Sequence, residues 1–341
     1  MHHESPFTCP RGLLLLAWLL LPSMALADVG ASLDDCLLER MRTAGDDVTV
    51  GSLRRDCRER LAGQTAEEGA ASMPAVSRRL SAEQETMGRP FVITPHRPNY
   101  FLFAYNFSDP NTAPFAGQYP GLGDDVFKAV ETKFQISLKF PIVQNLLGSG
   151  GDLFFAYTNR SFWQQFQTDD VVSSPFRETN HEPEAWLSFA NDWKFLGFTN
   201  RLNAVGLSHQ SNGRAGELSR SWNRLYASVV LERGDLALAF KPWWRLPEDA
   251  ATDDNPDIED YLGNFELLGV YKAGHHTFTA MGRHNLDFDA PRGALRLDWS
   301  FPLHGQLRGY LQLFNGFGES LIDYDHNVTS LGLGVQLTDW L

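Results

Sequence analysis

From about Pro98 to the C-terminus, apolar and polar residues alternate with a period of two. That is the repeat of a strand with one face in an apolar medium and the other against polar groups. In KFQISLKF (133–140), Phe134, Ile136, Leu138 and Phe140 share one face, and Lys133, Gln135, Ser137 and Lys139 share the other. ALRLDWSF (294–301) sets Leu295, Leu297, Trp299 and Phe301 against Arg296, Asp298 and Ser300. LGLGVQLTDWL (331–341) sets Leu331, Leu333, Val335 and Leu337 against Gly332, Gly334, Gln336 and Thr338. About twelve such segments follow one another, near 99–107, 131–141, 151–161, 184–192, 200–211, 222–233, 235–244, 261–272, 275–284, 293–301, 306–314 and 328–338, with loops such as NPDIEDYLG and DFDAPRG between them. An even number of antiparallel strands lets a single chain close into a barrel. The last strand ends beside a penultimate aromatic, Trp340. The pattern predicts an all-β protein, a twelve-stranded antiparallel transmembrane β-barrel with a short N-terminal helical extension. A soluble β-sandwich is the alternative, because it would bury the same apolar face against a second sheet.

The N-terminal residues have another texture. Arg11 precedes the apolar run Leu13–Leu21, then Pro22 and Ala25-Leu26-Ala27, which reads as a secretory signal peptide over 1–27 with cleavage before Asp28. In 28–94, DDCLLERMR and VGSLRRDCRERLAG read as two short amphipathic helices joined by TAGDDVT, with Cys36 on one and Cys57 on the other. Cys9 leaves with the signal, so one disulfide between the remaining pair is the simplest outcome in an exported chain. GQTAEEGAASMPAVSRRLSAEQETMG is small, polar and unpatterned, and reads as a linker to a barrel over 95–341.

Composition adds two constraints. A formal net charge of −13 argues against nucleic acid as a partner, since phosphate binding requires a basic surface. The 24 Phe, 9 Trp and 9 Tyr suit the aromatic girdles of a membrane barrel or a large all-β domain. No stretch after the signal reaches the ~18–20 apolar residues of a membrane helix, which leaves a barrel untouched.

One polar stretch has an unexpected address. GLSHQSNGRAGELSRSWNR (206–224) lies between two alternating runs. Asn203, Val205, Leu207, His209 and Ser211 share one face of the first; Asn223, Leu225, Ala227, Val229 and Leu231 share one face of the second, opposite Trp222, Arg224, Tyr226, Ser228 and Glu232. The charged face belongs in a polar lumen, so His209, Ser211 and Asn223 fall on the lipid side. Polar groups beside hydrocarbon lack water partners and cost free energy unless they serve a purpose. His209 could take the Ser211 proton and later protonate a leaving group, with Asn223 fixing the imidazole tautomer. A serine hydrolase whose nucleophile faces lipid would act on lipid. The plainer reading is that the three mark the membrane–water boundary, where polar residues are ordinary.

HxSNGR followed by SRSWNR, with SSPFRETN (173–180), KPWW (241–244), DDNPDI (253–258) and GESLIDY (318–324) in the same order, resembles the outer membrane phospholipase A family over roughly residues 95–341. The resemblance implies a bacterial outer-membrane, multi-pass barrel of twelve strands that hydrolyses phospholipid acyl esters, requires calcium and works as a homodimer. It implies His209 as general base, Ser211 as nucleophile and Asn223 as third member of a triad. It also implies calcium ligands: the Arg214 carbonyl and Ser219 hydroxyl of one subunit, Ser173 of the other, and Asp254 as a further position. Oxygen donors of these kinds are what calcium takes. Asn159 stands where the family carries a glutamine that bonds across the dimer, and is shorter. A porin-like or inactive barrel that retains the motif is the competing function, although Arg224, Glu232, Arg296, Asp298 and Arg308 would crowd its lumen.

Overall fold

The computed structural model describes residues 32–45, 48–89, 92–116, 118, 126–148, 150–168 and 173–341; within 62–72 it describes the backbone alone. The signal-peptide reading falls outside these residues. The chain divides into two compact units between Gly69 and Ala70.

The first unit holds helix α1 (Leu33–Thr43) and most of α2 (Val50–Ser72). Ser32 opens α1 through a reciprocal cap, its hydroxyl accepting the Asp35 N–H at 3.2 Å while the Asp35 carboxylate accepts from the Ser32 N–H. Cys36 and Cys57 are joined, with Cα atoms 5.9 Å apart, and Arg40 bridges to Asp56 at 2.8 Å.

In the second unit the strands are β1 (Thr94–Pro95), β2 (Asn99–Asn106), β3 (Val130–Val143), β4 (Asp152–Trp163), β5 (Phe176–Ala190), β6 (Lys194–Phe195), β7 (Phe198–Ser211), β8 (Ser221–Arg233), β9 (Leu236–Arg245), β10 (Phe265–Ala273), β11 (His276–His284), β12 (Gly293–His304), β13 (Leu307–Phe317) and β14 (Asn327–Thr338). β1 and β6 are two-residue additions to β3 and β7. The other twelve strands pair antiparallel in series, and β14 returns to β2, closing the barrel. Closure pairs both edges of every long strand, which a sandwich does not do.

The side chains settle which medium each face meets. Lys133, Gln135, Ser137, Glu182, Glu184, Asp298, Ser300 and Gln312 are buried inside, whereas Ile136, Leu138, Val205, Leu295, Leu297 and Trp299 are exposed outside. Leu207 is 55% and Leu333 58% exposed. At about 25 cal/mol per Å² such a wall would be costly in water, and it matches hydrocarbon instead. Aromatic rings gather toward both ends of the wall: Tyr105–Phe107 and Trp163–Phe176 toward one, Trp299–Phe301 and Phe140–Phe155 toward the other. These are the girdles of a membrane barrel.

Inside, charge is paired across strands. Arg97 bridges Glu182 and Glu184 at 2.7 and 2.8 Å, Arg224 meets Glu182 at 2.9 Å, and Arg177 spans Glu131 and Asp323 at 2.9 and 2.7 Å. A cavity of about 350 Å³ remains, lined among others by Arg79, His96, Arg97, Glu184 and Tyr226. Gly206 allows β5 and the Tyr226 ring to pack closely against β7, since a Cβ there would lie 2.6 Å from the Ala185 carbonyl and 2.8 Å from the Tyr226 ring.

Two expectations are revised. β5 begins at Phe176, well before the segment expected near 184, because its first half carries inward Glu178, Asn180 and Glu182 and, at mid-strand, Pro183. That sequence lacks apolar alternation but suits a polar lumen. Residues 63–88, expected as a linker, instead supply the end of α2 and all of α3 (Ala75–Thr86). α3 is docked on the barrel at the end where β8 and β9 are joined by the two-residue turn Gly234–Asp235. The Ala75 N–H donates to the Gly234 carbonyl, Ser77 donates to Glu232, Arg79 donates to the carbonyls of Pro95, Asp339 and Trp340, and Glu83 meets Lys139 at 2.8 Å.

Candidate active site

The register of β7 against β8 places His209 directly opposite Asn223, Leu207 opposite Leu225 and Ser211 opposite Ser221. The inward residues of the same strands fix that register. Ser208 donates to Glu182 at 3.1 Å, and the Trp222 indole donates to Gln210 at 2.9 Å. A slip of one residue would turn these polar groups out and the histidine in. The lumen network thus holds His209 and Ser211 on the outer wall.

There the His209 Nδ1 and Asn223 Oδ1 are 2.8 Å apart. Because an amide oxygen only accepts, Nδ1 carries the proton and Nε2 keeps its lone pair. Ser211 follows two residues along on the same side, half-buried. Among the described residues no hydrogen bond joins its hydroxyl to the imidazole; such contacts are often long before substrate binds. The β5–β7 ladder is broken beside the histidine: it runs His181 to Ser211 and resumes at Glu184 to Ser208. The residue opposite His209 is Pro183, which has no N–H to give.

Asn212 shapes the connection that follows. Its side chain is buried, accepts from the N–H groups of Arg214 and Arg220, and donates to the Leu218 carbonyl at 2.7 Å. Gly213 turns the chain at φ 64°, a conformation that favours glycine. Of the four residues implied as metal ligands, two meet: the Ser219 hydroxyl donates to Asp254 at 2.5 Å. The Arg214 guanidinium turns away, donating to the carbonyls of Phe176 and Arg177 at 2.9 and 2.8 Å. Ser173 is exposed on the connection between β4 and β5, bridged to Thr168, and no described hydrogen bond links it to Ser219 or Asp254.

The motifs spread along the sequence converge beneath these loops. Within DDNPDI, Asp253 pairs with Arg245 at 2.6 Å, the Asn255 oxygen accepts the Ser221 N–H at 2.9 Å, and Asp257 accepts from Tyr324 at 2.7 Å. Within GESLIDY, the N–H groups of Leu321 and Ile322 donate to Asn180 and Glu178 of RETN. Sequence reasoning missed three neighbours. His181 stands opposite Ser211, its Nδ1 within hydrogen-bond distance of the Tyr157 hydroxyl at 2.6 Å. Asn212 organises the loop, and Glu248 accepts from the Asn223 Nδ2 at 3.1 Å. His181 had a signal in its place on the face alternating with Glu182, and Asn212 in its position within HxSNGR; Glu248 had none.

A closed barrel with an apolar outer wall and a His–Asn pair beside a serine on that wall defines an outer-membrane enzyme of the β-barrel class. Residues 76–337 match the family model for Phospholipase A1. The Phospholipase A1 of Escherichia coli (strain K12) is 40% identical over 250 residues, covering 73% of this chain and 83% of that protein; that of Klebsiella pneumoniae is 39% identical, covering 73% and 84%. Among solved structures, outer membrane phospholipase A from Escherichia coli aligns with a TM-score of 0.68 at 39% identity, covering 74% of this chain and all of that one. The Salmonella typhi outer membrane phospholipase, a dimer with bound calcium, aligns with a TM-score of 0.67 at 38% identity, covering 74% and 94%. The chain belongs to the phospholipase A1 family and is a multi-pass outer-membrane β-barrel.

Proposed function

We propose that the chain is a calcium-dependent phospholipase that hydrolyses acyl esters of glycerophospholipids, at sn-1 and sn-2, with Ser211 as nucleophile, His209 as base and Asn223 as its orienting partner. The observation that carries this reading is the 2.8 Å His209–Asn223 contact on the lipid side of the barrel, one strand step from Ser211. The long connections, including 212–220 and 246–257, lie at the same end as the triad, which in barrels of this kind is the extracellular end. Phospholipid of the outer leaflet is then within reach.

In the reaction the Ser211 oxygen bonds to the acyl carbonyl carbon as His209 Nε2 takes the hydroxyl proton. Collapse of the tetrahedral intermediate breaks the ester bond, and His209 returns the proton to the departing glycerol oxygen. A water then loses its proton to His209, attacks the acyl-serine, and releases the fatty acid with Ser211 reprotonated. Asn223 keeps Nε2 available in both halves.

The donor chemistry near the triad fits calcium: the Arg214 carbonyl, the Ser219 hydroxyl and the Asp254 carboxylate are all oxygen donors, two of them in contact. Calcium takes about six to eight oxygen ligands, so these three groups of one chain would supply only part of its coordination sphere. Ser173 of a second copy would complete it, which supports a homodimer as the active form and a nearly silent monomer. When bound, the ion supplies positive charge against the oxyanion of the tetrahedral intermediate. The test is acyl release from phosphatidylcholine or phosphatidylethanolamine micelles. Wild type should be active with calcium and near background with chelator, and Ser211→Ala inactive in both. Full activity of Ser211→Ala would overturn the assignment.

A further inference from the structure

We infer that Glu248 is a fourth member of the catalytic chain, a positioning residue that sets the orientation of the Asn223 amide. The inference rests on the triad reading above and extends it by one residue.

An asparagine side chain is nearly symmetric in shape, so its oxygen and nitrogen can exchange places by a half-turn of the amide. Only one orientation serves a histidine base. With Oδ1 toward His209, Nδ1 donates and Nε2 stays free to take a proton. With Nδ2 toward His209, Nδ1 must accept, the ring proton moves to Nε2, and the base is blocked. An aspartate in this place would not face the choice, because both of its atoms accept. A chain that uses asparagine therefore needs a second contact that tells the two ends of the amide apart.

Glu248 makes that contact. Its Oε1 lies 3.1 Å from Asn223 Nδ2, on the side of the amide away from His209 Nδ1. A carboxylate accepts and cannot donate, so it holds the NH2 end and leaves the oxygen for the imidazole. Turning the amide over would set its oxygen against the carboxylate. The backbone places Glu248 deliberately: at the end of β9 the Leu246 N–H donates to the Asn223 carbonyl at 2.8 Å, so the chain is tied to Asn223 two residues before the carboxylate returns to its side chain. Farther along, Arg245 and Asp253 close the loop at 2.6 Å, and Asp249 accepts the Ala251 N–H at 2.9 Å. Both Asn223 and Glu248 are half-buried, so solvent screens much of the charge, and the effect is chiefly one of orientation.

The experiment measures kcat, KM and the pH profile of full-length protein in phospholipid micelles with calcium, for wild type, Glu248→Ala, Glu248→Gln, Asn223→Asp and the double variant Asn223→Asp/Glu248→Gln, with Ser211→Ala alongside. Glu248→Ala should lower kcat about tenfold with KM unchanged. Glu248→Gln should retain kcat within about threefold, because its amide oxygen accepts the same hydrogen bond. Asn223→Asp should be strongly impaired, since it sets two carboxylates against each other. The double variant should recover most of that loss, the glutamine NH2 now donating to the aspartate. Equal losses for Glu248→Ala and Glu248→Gln, an unchanged kcat in Glu248→Ala, or no recovery in the double variant would each overturn the inference. Full activity in Ser211→Ala would overturn the triad reading and the inference together, whereas its loss beside an unaffected Glu248→Ala overturns the inference alone.

Discussion

A histidine and a serine two positions apart on a strand share a face, and whether that face meets water or lipid is decided by their neighbours. Here Ser208 and Gln210 are tied into the lumen, so His209 and Ser211 have no choice but the outer wall. His209→Ala should abolish hydrolysis to the same extent as loss of Ser211, a fall of roughly 10⁴-fold or more in kcat. Asn223→Ala should cost about two orders of magnitude less, as expected for a group that orients the base rather than exchanging the proton. Single-turnover rates of acyl release check both; equal effects at the two positions would contradict the division of roles. That these three share the outer face was legible in the sequence because strand periodicity sets it, whereas their roles came from the family resemblance. Glu248 was not legible: it sits in PEDAATDD, an acidic loop with no period, and only the fold returns that loop to Asn223.

At the scale of elements, β7 and β8 carry the site and α3 steadies the opposite end of the barrel. The helix escaped sequence reading because SRRLSAEQETMG shows no apolar stripe; Val76 and Leu80 pack with Ala237 and Val270, and polar side chains make many of the other contacts. The start of β5 was missed because its outward positions Thr179, His181 and Pro183 give that half of the strand no apolar face to alternate with the polar one. Burial pushes the Glu83 carboxyl up, but Lys139 and Arg79 outweigh it and hold the group below the usual carboxylate range. A carboxylate lowered on folding stabilises the docked helix above its unfolded value, about 4.3, and ceases to do so as pH falls through the folded value. Glu83→Gln should therefore weaken α3 docking at pH 7 by on the order of 1–3 kcal/mol, a difference from wild type that vanishes at acid pH. Hydrogen exchange of the α3 amides reads this directly; a difference that persists unchanged at acid pH would contradict it.

As a whole, the barrel is inverted: polar and ion-paired within, apolar without. Most of its strands were legible from alternation, since a strand whose outer face is apolar announces itself; their closure into a barrel was not, because a sandwich alternates in the same way, and strand parity and the family resemblance favoured the barrel. The groups proposed to hold calcium were offered only by resemblance, because Ser219 and Asp254 are 35 residues apart and meet through a loop whose course no periodicity encodes. The central claim is that Ser211 is the nucleophile of a site completed by calcium and a second copy. An activated alkyl phosphonate ester or a sulfonyl fluoride, which phosphonylates or sulfonylates an activated serine with loss of its leaving group, followed by peptide mass spectrometry, tests it most directly. The account predicts one adduct, on Ser211, formed faster with calcium and in the dimer fraction than with chelator or in the monomer fraction, and nearly absent from His209→Ala. An adduct on another residue, or continued lipid hydrolysis with Ser211 fully modified, would contradict it.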